Sequence, residues 1–304
     1  MQLLYALQAM RSPALDQIVA LVTRLGEETA FLVIGLMILW CIDKKWGFRF
    51  LAAGLAGSVA NSLLKAIFLI PRPWVIDPNF TIVEAAREAA TGYSFPSGHT
   101  QTAATVYGMI AAWINKTWVK VLAVVLILAV GFSRMYLGVH TPYDVGVALV
   151  AGALIVWGML KLFAWAQDDT KRNAGIHVGV LGFALVLLAY MLFAPVREAN
   201  VAEFDAHGIE SAWKLLGTTA GIIAAWWMDQ KYTHYETKAP LLVQVIKLSV
   251  GFVLVLGVRM ALKPVLNVLM GGHGAAGAVR YFIMCVVGGG LWPMSFKRLE
   301  KLCK

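Results

Sequence analysis

Residues 118–165 read WVKVLAVVLILAVGFSRMYLGVHTPYDVGVALVAGALIVWGMLKLFAW. Two apolar runs, 118–137 and 142–165, flank a short polar junction. A membrane-crossing helix takes about 20 apolar residues, and both runs reach that length. Lipid offers no water to unpaired backbone groups, so a run of this kind must be helical. Yet Ser133, Arg134, His140 and Asp144 sit at the junction, where the chain turns between two spans. The stretch therefore predicts an all-α, polytopic membrane helix bundle with its polar chemistry gathered at span ends.

Read outward, the chain predicts about nine transmembrane helices, at 27–42, 49–70, 98–114, 118–137, 142–165, 175–194, 209–228, 240–262 and 278–296. Composition agrees. Of 304 residues, 60% are hydrophobic and 14% charged, against roughly 25% charged in an average globular protein. That excludes a soluble domain of this size, as well as collagen, coiled coil and disorder. Residues 1–26 are apolar but interrupted by Arg11, Pro13, Asp16 and Arg24, and read as an interfacial or re-entrant helical segment. Residues 27–166 form the core that carries the motifs, and 167–304 add further spans. The longest polar connection is 71–97. Within it, 80–90 (FTIVEAAREAA) reads as helical, opened by Asp77-Pro78 and closed by Gly92.

The formal net charge is +9. In a soluble protein this would suggest nucleic acid as a partner; here it reads as cations retained on cytoplasmic loops, and no nucleic-acid partner is expected. Lys44, Lys45, Arg49, Lys116, Lys120, Lys171, Arg172, Lys231, Lys238, Lys297, Arg298, Lys301 and Lys304 fall on one side of the nine-span arrangement. That side is expected to be cytoplasmic. Cys41, Cys285 and Cys303 are isolated, with neither disulfide nor zinc spacing.

Ionisable residues at span ends are ordinarily anchors that snorkel to the interface. Three segments resist that reading. Lys65 and Arg72-Pro73 close the second span, Pro96-Ser97-Gly98-His99 open the third, and Ser133-Arg134 with His140 and Asp144 join the fourth to the fifth. In the nine-span arrangement all three reach the same, non-cytoplasmic face. Lys65, Arg72 and Arg134 together ask for a multiply charged anion, the arginines as bidentate forks. The turn at Ser97-Gly98 starts a helix, and helix N-termini receive phosphate oxygens. His140 and His99 offer a nucleophile and an acid. Asp144, four residues beyond His140, can share its face and fix the imidazole tautomer.

The pattern K-x6-RP, PSGH, SR-x5-H-x3-D resembles the signature of the type 2 phosphatidic acid phosphatase superfamily, over about residues 27–166. The resemblance implies a membrane phosphatase that cleaves a phosphomonoester or diphosphate of a lipid through a phosphohistidine. It implies His140 as nucleophile, Asp144 as the residue that polarises it, and His99 as general acid. Lys65, Arg72, Ser97, Gly98 and Arg134 become the phosphate-binding set. It implies no metal and no cofactor, and Asp144 is the lone acidic residue in the motifs. The expected partners are a phosphorylated lipid and the surrounding membrane lipids, and the expected setting is a bacterial inner membrane.

A soluble sugar phosphate, as in glucose-6-phosphatase, is the alternative substrate. A lipid transporter or flippase fits less well, because transporters hold ionisable groups near the midplane. The last four spans read as scaffold, as a lateral wall for lipid access, or as a homo-oligomer surface. Glu27 and Glu28 read first as helix N-terminal charges, and Glu84, Arg87 and Glu88 as a solvated face. Tyr93, Phe95 and Trp74 read as a lipid entrance or an aromatic belt. His177, His207, His234 and His273 show no ligand spacing and read as surface or loop residues.

Overall fold

A computed structural model describes residues 1–88, 90–193 and 202–302. The helices run α1 (Gln2–Ala9), α2 (Pro13–Thr23), α3 (Glu28–Met37), α4 (Lys44–Phe68), α5 (Pro73–Ile76), α6 (Gly98–Ile114), α7 (Thr117–Tyr136), α8 (Pro142–Ala166), α9 (Thr170–Phe193), α10 (Ala202–Met228), α11 (Leu241–Leu269), α12 (Ala275–Val286), α13 (Trp292–Met294) and α14 (Phe296–Leu302). The described residues include no strand. The all-α class follows as expected.

The count of nine spans is not confirmed. By length and apolarity, six helical stretches among the described residues can cross a membrane, or seven if Pro13–Gly26 and Glu28–Ile42, bent by 51°, make one span. Each of the other expected spans has a helix. However, α6 has 17 residues and carries His99, Gln101 and several threonines, and α10 carries Glu203, Asp205, Glu210 and Lys214. α6 is thus short of a full span in length and α10 in apolarity. The spans proper present broad apolar faces: Val150, Leu154 and Trp157 on α8 and Leu242, Val253 and Met260 on α11 are exposed. Such faces are tolerated only against lipid, and the chain is an integral membrane protein.

The chain divides into two compact units. Unit 1 comprises Met1–Leu32, Ala56–Lys161 and Phe193–Gly208. In it, α1 and α2 cover the long connection between α4 and α6. Leu4 packs with Phe80 and Ile82. Val19 packs with Ala86, Ala90, Tyr136, Leu137 and Val139. Arg11 clamps the connection through Thr81 O (2.7 Å) and Tyr136 O (3.0 Å), and Tyr5 Oη donates to Asp77 Oδ2 at 2.8 Å.

This packing corrects the helix expected over 80–90. Its described residues hold only a 3₁₀ turn at Glu84–Ala86. The Val83 amide donates instead to Leu137 O at 3.1 Å, and Ala86 and Ala90 are buried against Val19 of α2. Glu84 and Arg87 do pair, at 2.7 Å, on the exposed side.

Unit 2 comprises Val33–Leu55, Leu162–Leu192 and Ile209–Lys304. Its interior is organised by tryptophans that donate to backbone carbonyls. Trp40 Nε1 reaches Gly288 O at 2.9 Å and Trp292 Nε1 reaches Lys247 O at 3.0 Å. Both rings press on Gly251, where a Cβ would come within 2.5 Å of Trp40. His177, expected at the surface, is buried here. Its Nδ1 donates to Asn173 O at 2.8 Å and its ring stacks on Trp226 at 5.4 Å. A histidine that pairs within its own helix and stacks on an indole is a core residue.

Candidate active site

All eight residues singled out from the sequence lie in unit 1, each at a helix end. Lys65 is in the last turn of α4. Arg72 is the N-cap of α5. Ser97 caps α6, with Gly98 and His99 its first two residues. Arg134 is in the last turn of α7. His140 follows α7, and Asp144 is in the first turn of α8.

The opening of α8 explains how His140 and Asp144 are held. Thr141 accepts from the Asp144 amide at 3.2 Å, while Asp144 Oδ2 accepts from the Thr141 amide at 2.7 Å. This is a reciprocal capping box, with Pro142 at the first helical position. It folds the Asp144 side chain back toward His140. The carboxylate lies 3.4 Å from His140 Nδ1, too far for a strong direct hydrogen bond. A residue overlooked in the sequence lies against both groups. Ser94 Oγ donates to Asp144 Oδ2 at 2.5 Å and meets His140 Nδ1 at 3.4 Å. Its only sequence signal is a small hydroxyl between Tyr93 and Phe95, which nothing distinguishes from an ordinary loop serine.

The other ring nitrogen settles the tautomer. Arg72 Nη1 lies 2.9 Å from His140 Nε2. A guanidinium has no lone pair to offer, so Nε2 is the acceptor and the ring proton sits on Nδ1, facing Ser94 and Asp144. Burial, then the charges of Arg72, Arg134 and Lys65, hold the imidazole well below its ordinary pKa. His140 is therefore neutral, with its lone pair on Nε2 directed at a cation.

The cations are placed differently from one another. Arg72 is a clamp: Nε donates to Gly92 O (3.1 Å), Nη2 to Thr91 O (2.8 Å) and Nη1 also to Val139 O (2.9 Å). Gly92 adopts φ +65°, a conformation that suits glycine. Lys65 Nζ donates to Tyr93 O (2.6 Å) and Ser94 O (3.3 Å), leaving one of its three protons. Arg134, 1% exposed, donates Nη1 to Thr23 Oγ1 at 2.8 Å, while its Nε and Nη2 are buried without a partner. His99 Nε2 is likewise buried and unpartnered. Buried polar atoms without a partner are rare, and here they belong to Arg134 and His99 of the motif segments.

A polar brace fixes the turn into α6. Asn61, one turn before Lys65 on α4, donates to Gln101 Oε1 (3.0 Å) and Pro96 O (3.4 Å). Gln101 in turn donates to Gly57 O at 2.7 Å. Ser97 Oγ accepts from the Thr100 amide, and the Ser97 amide donates to Asp144 O. The flanking aromatics sit beside this turn: Phe95 meets Phe68 edge-on at 5.0 Å, and Trp74 lies under Arg72 and Arg87. Among the described residues no group of three or more His, Cys, Asp or Glu could hold a metal ion.

The PAP2 superfamily model matches residues 46–168, which hold every one of the eight residues. A second model, PAP2 superfamily phosphatase, transmembrane extension, matches residues 213–304. A phosphatidylglycerophosphatase B of Bacillus subtilis is 31% identical over 150 residues, 44% of this chain and 68% of that protein. The chain belongs to the PAP2 superfamily. A probable sphingosine-1-phosphate phosphatase of Dictyostelium discoideum is 25% identical over 78% of this chain and 58% of its own length. An undecaprenyl-diphosphatase of Bacillus subtilis is 35% identical over 34% of this chain and 50% of its own. The chain thus spans about half the length of these last two relatives. No solved structure matches it significantly.

Proposed function

We propose that this PAP2 protein hydrolyses a phosphomonoester or diphosphate of a lipid, without a metal, through a phosphohistidine on His140. The observation that carries this reading is the Arg134 side chain, whose Nε and Nη2 are buried without partners, in the same site as a neutral His140. Two parallel N–H groups of this kind match two oxygens of a phosphate. A buried, unpaired guanidinium is costly unless an anion completes it.

In the proposed reaction, His140 Nε2 attacks phosphorus as Arg72 Nη1 passes from Nε2 to a phosphate oxygen. The bond from phosphorus to the leaving oxygen breaks, and His99, held neutral by burial and by Arg134, Arg72 and Lys65 until the phosphate anion offsets those charges and it takes up a proton, gives that proton to the leaving oxygen. Ser94 and Asp144 stabilise the positive charge that forms on the ring. Water then attacks phosphorus, with His99 taking its proton, and the N–P bond breaks to free phosphate and restore His140. Arg134, Lys65, Arg72 and the Gly98 and His99 amides meet the equatorial oxygens, the task that metal ions perform elsewhere. The donor set supports a metal-free route, because Asp144 is the lone acidic residue of the motifs and is engaged by Ser94 and Thr141.

The apolar girdle supports a substrate whose tail stays in lipid while its phosphate enters the site. The Lys/Arg asymmetry supports a site on the non-cytoplasmic face of a bacterial inner membrane. The test is phosphate release by the purified protein from phosphatidate, phosphatidylglycerophosphate, undecaprenyl diphosphate, sphingosine phosphate and glucose 6-phosphate. Release from one or more of the lipids in excess chelator is expected. Release from glucose 6-phosphate alone would replace the lipid reading with a soluble substrate.

A further inference from the structure

We infer that the N-terminal hairpin sets the angle of the phosphate-binding arginine, with Thr23 as the positioning residue for Arg134. This rests on the phosphatase reading of the site, but concerns residues 23–27, which lie outside both matched regions of the family.

Geometry carries the inference. A guanidinium presents three edges, and Thr23 occupies one nitrogen only, Nη1, at 2.8 Å. What remains is the Nε–Nη2 edge, the one that can grip two oxygens in parallel, and both of its nitrogens are buried and unpartnered. Thr23 is 7% exposed, at the last residue of α2. It is fixed from both sides of the site. Asp16 on α2 accepts from Tyr136 Oη at 2.8 Å, two residues beyond Arg134. Leu25 O accepts from Tyr107 Oη of α6 at 2.9 Å. Between them Gly26 lies so close to α6 that a Cβ there would come within 2.7 Å of His99 O. The hairpin therefore touches the helix ends that carry both Arg134 and His99.

The choice of acceptor matters chemically. A carboxylate at position 23 would take the fork bidentately and neutralise it. A hydroxyl holds one nitrogen and leaves the full charge for the incoming anion. Glu27 also acts electrostatically on Arg134, yet takes no hydrogen bond from it. It supplies field without occupying the fork.

The test uses the full-length protein in detergent and two readouts. One is thermal stabilisation by inorganic phosphate and vanadate; the other is kcat and KM on a lipid phosphate. Thr23→Val keeps the shape but removes the acceptor. It is expected to weaken phosphate and vanadate binding, and to raise KM, by about tenfold, with kcat changed less. Thr23→Ala should act alike, and Thr23→Ser should stay within about twofold of wild type. In an Arg134→Lys background, which has no fork to orient, Thr23→Val should add almost nothing. Phosphate binding by Thr23→Val and Thr23→Ala equal to wild type would overturn the inference. So would an equal effect of Thr23→Val in the Arg134→Lys background, since that is plain destabilisation. Phosphate binding that shows this pattern while no lipid phosphate is hydrolysed would uphold the inference and sink the enzymatic reading. A wild-type protein that binds no phosphate would overturn both.

Discussion

At the scale of single residues, the two histidines differ in the company they keep, and the account assigns them different losses. His140→Ala removes the atom that receives phosphorus, so turnover should vanish on every substrate. His99→Ala should cost roughly 10²–10⁴-fold on a lipid monophosphate, the usual worth of general acid catalysis. On p-nitrophenyl phosphate, whose leaving group needs no proton, the His99 variant should lose much less. Steady-state rates on the two substrates check this; equal losses for His99→Ala on both would remove it from the acid role. Ser94→Ala breaks the link from Asp144 to His140 while leaving Asp144 its Thr141 amide. A hydrogen bond to a charged group is worth about 1.5–3 kcal/mol, so kcat should fall roughly tenfold to a hundredfold, less than for Asp144→Asn. Acidity offers a further check. His140 is held well below its ordinary pKa by burial and by Arg72, Arg134 and Lys65. Its neutral, nucleophilic form therefore persists as pH falls through the ordinary imidazole range near about 6.5. The acid limb of kcat/KM assigned to it should lie below that range; a limb that follows an unperturbed imidazole would contradict the burial argument.

At the scale of elements, the site is a meeting of helix ends, and small residues govern how closely those ends approach. Gly26 is the sharpest case. An ideal Cβ would sit 2.6 Å from Val130 Cγ1 and 2.7 Å from His99 O. The second neighbour is backbone and cannot swing aside. Gly26→Ala should therefore cost about 1–3 kcal/mol, read as a lowered unfolding midpoint, and should reduce activity by moving His99. Unchanged stability and activity would mean the hairpin is looser than its contacts indicate. Element scale is also where the sequence was most and least readable. The motif residues were legible because three cations, two histidines and a carboxylate recur at span ends in three segments, more than interfacial anchoring asks for, and because Asp144 lies one helical turn beyond His140. Residues 80–90 were misread because alanine-rich helical propensity yields to burial: Ala86 and Ala90 pack beneath α2, and Val83 pairs with Leu137. Ser94 and Thr23 were invisible because a hydroxyl takes its meaning from the charged partner that the fold brings to it.

At the scale of the whole molecule, apolar length gave the class of fold; among the described residues six or seven helical stretches are long and apolar enough to cross a membrane, and α6 and α10 are helical without reaching that length or apolarity. Two predictions belong here. Activity should persist in excess EDTA and be inhibited by vanadate, which resembles the five-coordinate transition state and should meet the same cations. Loss with chelator, restored by magnesium, would require a metal the donor set does not suggest. The Lys/Arg asymmetry predicts a cytoplasmic C-terminus; a periplasm-only reporter fused there should stay silent, and its activity would invert the topology. The central claim is that phosphorus passes through His140 Nε2. Rapid quenching of the purified protein during turnover of a phosphate-labelled lipid tests it most directly. The account predicts an acid-labile, alkali-stable label on the peptide containing His140, absent from His140→Ala. Label on another residue, or labelling that persists in His140→Ala, would contradict it.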